Sequence, residues 1–292
     1  MLEASRVNHE GAPPSLSRSV IDDVDGAIRE SNARPLRFAP SSKLDARAAH
    51  ALSVQRMASR MALPLLGPAT FLCLRTFGRY RIANLRDIRL MYRRAIEQGR
   101  PTVVCANHLT MIDSLLLHYA LGSLTSYVFH FRRLSWNVAA SENFFANPVL
   151  RMIAYLGKTL PVDRAGSVEH RSRVLDQIRH LLLEGDVVTL FPEGGRSRTG
   201  TIEPEAVTYG VGKVLKDYPR PLVVCVYLRG RHQTGYSTIP APHDEIYLDL
   251  ELLEPRTEER GVRAGKEISR QIIDKLKDME QRYFDELARA IA

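Results

Sequence analysis

The sequence predicts an α/β domain with a largely parallel sheet, and three observations carry that prediction. Beyond residue 100, short β-branched apolar runs alternate with stretches of helical period. The runs at 102–105, 186–191 and 221–228 are close to continuously apolar, as strands buried on both faces are. The chain then closes on a segment whose Ile268, Ile272, Leu276, Met279, Tyr283 and Leu287 fall on one helical stripe.

Each element follows in order. Residues 1–40 are polar and broken by Pro13, Pro14, Pro35 and Pro40, which predicts a flexible arm. Over 42–61, Leu44, Ala48, Leu52 and Met57 suit a helix with Arg47, Arg56 and Arg60 on its wetter side. A second helix is expected from Asn84, a capping residue type, through Leu85, Ile88, Tyr92 and Ile96 to Gly99. Then come a strand at 102–105, a helix at 113–121, candidate strands at 127–131 and 138–140, a helix after Pro148 and a short strand at 159–162. A helix through Val174, Ile178 and Leu181, a strand at 186–191, a helix at 207–215 and strands at 221–228 and 246–253 precede the closing helix. The organisation expected is an arm over 1–40, a basic and apolar helical segment over 41–99, and the α/β domain over 100–292.

Composition narrows the function classes. With 45% hydrophobic and 25% charged residues in 292, the chain is globular rather than collagen-like, coiled-coil or mucin-like. Cys73, Cys105 and Cys225 are far apart with no C-x-x-C pair, which supports neither a disulfide framework nor a thiolate metal site and suggests a reducing compartment. The first thirty residues lack the apolar core of a signal peptide. The formal charge is +8, yet residues 43–100 alone carry 12 basic and 3 acidic side chains, so the whole excess lies there. Within that segment, residues 61–74 are uncharged and bracketed by Arg60 and Arg75. The run contains Pro64, Gly67 and Pro68 and falls short of the roughly 20 residues a spanning helix needs. It suits either docking on an anionic membrane surface or a buried core element. A high arginine content also raises nucleic-acid binding, but the arginines do not interleave with aromatics and no recognition motif accompanies them.

Ligands of α/β sheets gather at the carboxyl ends of strands, which singles out three loops. The first strand ends in Ala106-Asn107-His108-Leu109-Thr110-Met111-Ile112-Asp113. A histidine there can take a proton from a substrate hydroxyl near neutral pH, and a carboxylate on its other ring nitrogen would fix the tautomer. On one continuous helix, five residues turn roughly 500° and leave the two side chains about 140° apart. They meet only if His108 lies in the loop and Asp113 opens the helix. Thr110 and Asp113 also fit a capping-box-like helix start, in which Asp113 serves the backbone. The second loop, 191–200, follows a strand with Pro192, Glu193, Gly194, Gly195, Arg196, Ser197 and Arg198, where two glycines allow close approach and arginines offer donors to phosphate oxygens. A polar turn with solvated arginines reads the same way. The third, ending in Asp163-Arg164, taken alone is an ordinary surface ion pair. Cys105 in its strand and His118 and His180 in helical patterns read as structural.

Together these three segments, N-H-x-x-x-x-D, then Gly157 to Arg164, then F-P-E-G-x-R-S, resemble in order and spacing the first three motif blocks of the glycerophospholipid acyltransferases, whose best-known members are the 1-acylglycerol-3-phosphate acyltransferases. The resemblance covers residues 100–230. It implies His108 as base, Asp113 as its orienting partner, Arg164 and Arg196 on the acceptor's phosphate, and Glu193 and Gly194 lining the acceptor site. It implies a mixed sheet wrapped by helices, with an N-terminal helical element that docks on the bilayer at the cytoplasmic face, peripheral or monotopic. The implied reaction moves an acyl group from acyl-CoA or acyl-ACP, as co-substrate rather than bound cofactor, to a lysophospholipid. 1-Acylglycerol-3-phosphate is the first candidate; glycerol-3-phosphate or a lyso-aminolipid is the alternative. No metal enters this chemistry. Two departures stand out: Gly195 replaces the usual threonine of G-T-R-S, and the inner proline of the fourth block is absent from Pro221-Leu222-Val223-Val224-Cys225-Val226.

Overall fold

The computed structural model describes residues 43–144 and 147–291; the arm expected over 1–40 lies outside the described residues. Its strands are β1 (Arg81–Ile82), β2 (Thr102–Ala106), β3 (Trp136–Ala140), β4 (Thr159–Val162), β5 (Val188–Leu190), β6 (Leu222–Gly230) and β7 (Glu245–Leu253). They form one sheet in the order β1-β7-β6-β2-β5-β3-β4. Every pairing is parallel except the antiparallel β6–β7. The expected mixed, largely parallel α/β fold is the observed one.

Period-two alternation divides the core between the sheet's faces. Val103 and Cys105 of β2, with Val223, Cys225 and Tyr227 of β6, pack against Ile178 and Leu181 of helix α6 (Val168–Leu183) and Ile272 and Leu276 of α8 (Gly261–Ile291). Val104, Ala106, Val224 and Val226 point the other way, toward Ile88 and Tyr92 of α2 (Leu85–Glu97) and Leu117 of α3 (Asp113–Leu121). All five residues of β2 are buried, so the strand carrying the first motif lies at the centre of the core.

The first helix differs from expectation. α1 (Ala46–Thr76) does not stop near Met61 but continues through Pro64 and Pro68. Each proline lacks an N–H and so forfeits one helical hydrogen bond. Four residues apart, both lie on the exposed side, where Arg60 and Pro64, the residues whose carbonyls are left over, are also exposed. Leu52, Gln55, Ser59, Leu63 and Gly67 form the buried stripe, and Gly67 sits where a Cβ would lie 2.7 Å from Leu124. The apolar stretch is both core element and surface: Met57, Met61, Leu65 and Leu72 of the same helix are exposed. By length and composition alone α1 is long and apolar enough to cross a membrane.

A second difference falls on 127–131, expected as a strand. The chain instead forms α4 (Leu124–Phe129), because Ser123 caps it by accepting the Ser126 N–H at 3.1 Å, and the Tyr127 hydroxyl donates to His118 O at 2.8 Å. Tertiary anchoring overrides the β propensity of the aromatic run. The remaining α-helices among the described residues are α5 (Pro148–Leu156) and α7 (Gly210–Leu215), the latter beginning three residues after its expected start.

Candidate active site

Because β2, β4 and β5 are mutually parallel through β3, the segments that follow them all emerge from one edge of the sheet. At the end of β2, Asn107 replaces strand pairing with its side chain: Nδ2 donates to Leu228 O at 3.0 Å and Oδ1 accepts the Leu228 N–H at 2.8 Å. This pairing holds the chain to β6 while the backbone leaves the sheet, so His108 falls in a loop.

His108 and Asp113 meet there. His108 Nδ1 lies 2.9 Å from Asp113 Oδ2. That oxygen also accepts the N–H groups of Leu109 at 2.7 Å and Thr110 at 2.8 Å, while Thr110 Oγ1 donates to Oδ1. An ionised carboxylate only accepts, so Nδ1 carries the ring proton and Nε2 presents a lone pair. The capping alternative is realised in part: Asp113 serves backbone N–H groups, but those of the loop before it. The residue at the N-cap position of α3 is Ile112, which makes no side-chain cap. Asp113 is buried and the ring of His108 is 16% exposed, so the imidazole is fixed on one side and reachable on the other. Phe191 stacks on the ring at 4.1 Å between centroids and 19° between planes.

The 191–200 loop is stapled to the same histidine. Ser197 donates its N–H to His108 O at 2.8 Å, and Glu193 Oε1 accepts the His108 N–H at 3.1 Å. Burial pushes the Glu193 carboxyl up to about 8; the His108 N–H opposes that shift, and Glu280, Glu203 and Asp113 add to it. Glu193 is therefore largely a neutral acid at pH 7, adding little net negative charge to this end of the sheet. Gly194 makes the turn possible: its φ is +70°, and a Cβ there would lie 2.3 Å from Thr208 Cγ2. Thr208 in turn donates from N and Oγ1 to Pro192 O, at 2.7 and 2.8 Å.

The two arginines reach this edge differently. Arg164 is half-exposed, with Nη1 3.6 Å from Glu142 Oε1. It borders the second loop, since a Cβ on Gly195 would meet it at 3.8 Å and nothing nearer. Gly195, standing where a G-T-R-S segment carries threonine, therefore meets no steric demand for glycine. Arg196 donates from Nη1 to Ser237 O at 3.3 Å and lies over the Tyr236 ring at 5.7 Å.

Sequence reasoning missed the segment that supplies those last two contacts. The β6–β7 connection grips the first loop through Ser237 N–H to Leu109 O and Met111 N–H to Thr238 O, both 3.0 Å, and approaches the second where Gly200 packs on Thr234 and Gly235. No periodicity or motif marks it; its Gly and Pro content signals only a loop. Cys105, one strand residue from the loop, is buried and its thiol is pushed well above the usual range, so it stays protonated. His118 is partly buried, pushed down to about 4 chiefly by desolvation, and bonded to Ser135.

Residues 87–228, which contain all three loops, match the family model described as Acyltransferase. The match covers just under half of the protein, and through this segment it is similar to the acyltransferase family. Over 133 residues the protein is 25% identical to the N-acylphosphatidylethanolamine synthase of Arabidopsis thaliana, the match covering 45% of each chain. It thus spans under half the length of that relative. Among solved structures, the 1-acyl-sn-glycerophosphate acyltransferase PlsC of Thermotoga maritima overlays with a TM-score of 0.37 at 15% identity, covering 87% of this protein and 89% of that chain.

Proposed function

We propose that the protein is a glycerolipid acyltransferase that moves a fatty acyl group from a thioester, acyl-CoA or acyl-ACP, to the hydroxyl of a lysophospholipid, with 1-acylglycerol-3-phosphate the first candidate. The observation that carries this reading is the His108–Asp113 contact, which leaves Nε2 open as a base on the sheet edge where Arg164 and Arg196 also stand. His108 Nε2 takes the hydroxyl proton as the oxygen attacks the thioester carbon. The tetrahedral oxyanion then re-forms the carbonyl, the C–S bond breaks, and the imidazolium returns its proton to the thiolate. Asp113 stabilises the imidazolium between these steps, and general-base catalysis of this kind typically supplies about 10² to 10⁴ in rate. Arg164 and Arg196 hold the acceptor's phosphate, and Glu193 and Gly194 shape its seat.

A second reading is favoured by the name of the plant relative, an N-acylphosphatidylethanolamine synthase, in which the acceptor is an amine. The same base serves, removing the proton of the attacking nitrogen. Incubation with palmitoyl-CoA and, separately, lysophosphatidate, glycerol-3-phosphate, a lyso-aminolipid and phosphatidylethanolamine separates the readings through product mass and thiol release. Phosphatidate as the main product supports O-acylation. An N-acyl product replaces that reading with the second, and no thiol release with any acceptor removes both.

The access of a lipid acceptor suggests where the protein works. α1 turns Met57, Met61, Leu65 and Leu72 outward, and α5, which has no buried residue, adds Val149, Leu150, Met152 and Ile153 beside it. Residues 46–86 contain seven arginines and no acidic residue. This combination suits peripheral or monotopic docking on the anionic cytoplasmic face of a membrane. Binding to vesicles should rise with their anionic fraction and weaken in high salt.

A further inference from the structure

A cleft of about 570 Å³ opens between α2 and α4. Four of its lining residues are arginines, Arg86, Arg89, Arg93 and Arg133, joined by His130, and no carboxylate lines it. Its remaining wall is partly apolar, from Leu90, Leu121 and Phe129, with Thr125 adding a hydroxyl. It is not the site described above: Asp113 and Leu121 stand at opposite ends of α3, about 12 Å apart at 1.5 Å per residue.

The charges in the cleft are under-compensated. Arg93 and Arg133 share one half-exposed carboxylate, Glu97, at 3.9 and 3.0 Å. Among the described residues, Arg89 has no carboxylate within ion-pair distance; its Nη2 donates to Tyr119 O at 2.8 Å, and its Nε is buried without a hydrogen-bond partner there. Burial lowers the Arg89 guanidinium from its ordinary value, the signature of a cation short of counter-charge. A desolvated cation whose donors are incompletely used gains most from an anion with several acceptor oxygens, and guanidinium forks match phosphate in particular.

We propose that this cleft is a second anion site that takes a phosphate group, separate from the acceptor site and outside the acyl-transfer chemistry. Its half-apolar wall, and its place beside α4, against which α1 packs through Gly67 and Leu124, favour the phosphate of an anionic lipid; free phosphate is the other source of the same chemistry. Nothing in this inference requires turnover, so it stands or falls apart from the proposed reaction.

The test uses the full chain with the acceptor-site arginines removed, Arg164→Ala with Arg196→Ala, so that any phosphate bound is bound elsewhere. Calorimetric titration with dihexanoyl phosphatidate, below its micelle concentration, should show one saturable equivalent, and dihexanoyl phosphatidylcholine should bind at least tenfold more weakly. Inorganic phosphate binding as tightly as phosphatidate assigns the cleft to the free ion, whereas weaker binding assigns it to lipid; either supports a phosphate site. Adding Arg86→Gln and Arg89→Gln should weaken the phosphatidate signal at least tenfold. If Arg89→Gln disturbs folding, Arg86→Gln alone, an exposed position, should still weaken it severalfold. Absence of saturable binding in the folded parent, or binding indifferent to Arg86 and Arg89, overturns the proposal.

Discussion

Glu193 holds the backbone N–H of His108 at 3.1 Å, so the carboxyl of one loop and the imidazole of another form a single unit. Its burial carries a pH consequence. With its carboxyl raised to about 8, the folded chain keeps a proton that the unfolded chain releases near 4.5. Stability from this group is therefore full below about 4.5 and declines as pH rises toward 8. Glu193→Gln retains an oxygen to accept the N–H and removes the titration. Urea midpoints of the parent should fall between pH 5 and 8 relative to those of the glutamine variant; parallel curves would show that Glu193 does not titrate in that window.

Asp113 has two tasks that substitution separates. Asn can keep accepting the Leu109 and Thr110 N–H groups through one oxygen but loses the charge that balances an imidazolium. Asp113→Asn should lower kcat by about 10² to 10⁴ with little change in stability. Asp113→Ala should lower kcat as far and also cost about 2–4 kcal/mol, since two buried N–H groups lose their acceptor. Steady-state kinetics beside denaturant unfolding reads both; equal stabilities for the two variants would contradict the backbone role.

Gly194 is required by conformation and by space. A Cβ would impose a side chain at φ +70° and 2.3 Å from Thr208 Cγ2. Gly194→Ala should destabilise by about 1–3 kcal/mol, and adding Thr208→Ser, which retains the hydroxyl but not the methyl, should recover part of it. Unfolding of the two variants compared with the parent is the check. No recovery would mean that the backbone alone accounts for the loss.

How much of this was legible in the sequence depends on how local each cause is. Strands β2, β5 and β6 and the α8 stripe are written in runs of adjacent or regularly spaced residues; the first and second motif loops follow β2 and β5, and the third follows the short β4. α4 was misread because its decisive contacts, from Tyr127 to His118 and from Ser123 to Ser126, compete with an aromatic, β-branched composition that favours a strand. The extension of α1 was hidden by prolines whose lost bonds fall on its exposed side. Least legible was the β6–β7 connection: Tyr236 lies forty residues from Arg196, and the loop comes against the site because β6 runs parallel to β2 and ends on the same side of the sheet.

Tyr236 therefore makes a specific prediction. A cation over an aromatic ring at an exposed site is worth about 0.5–1 kcal/mol, so Tyr236→Ala should raise the acceptor KM about two- to fivefold while leaving kcat and the donor KM nearly constant. Tyr236→Phe keeps the ring and should behave as the parent. A fall in kcat in both variants would show that the residue acts on something other than Arg196.

The imidazole of His108 is the most direct point of attack. Thiol release from palmitoyl-CoA with lysophosphatidate should drop by at least 10² in His108→Ala, while calorimetry shows lysophosphatidate bound about as tightly as by the parent. Turnover within a fewfold of the parent in that variant would show that the proton goes elsewhere and that the His108–Asp113 pair is not the base.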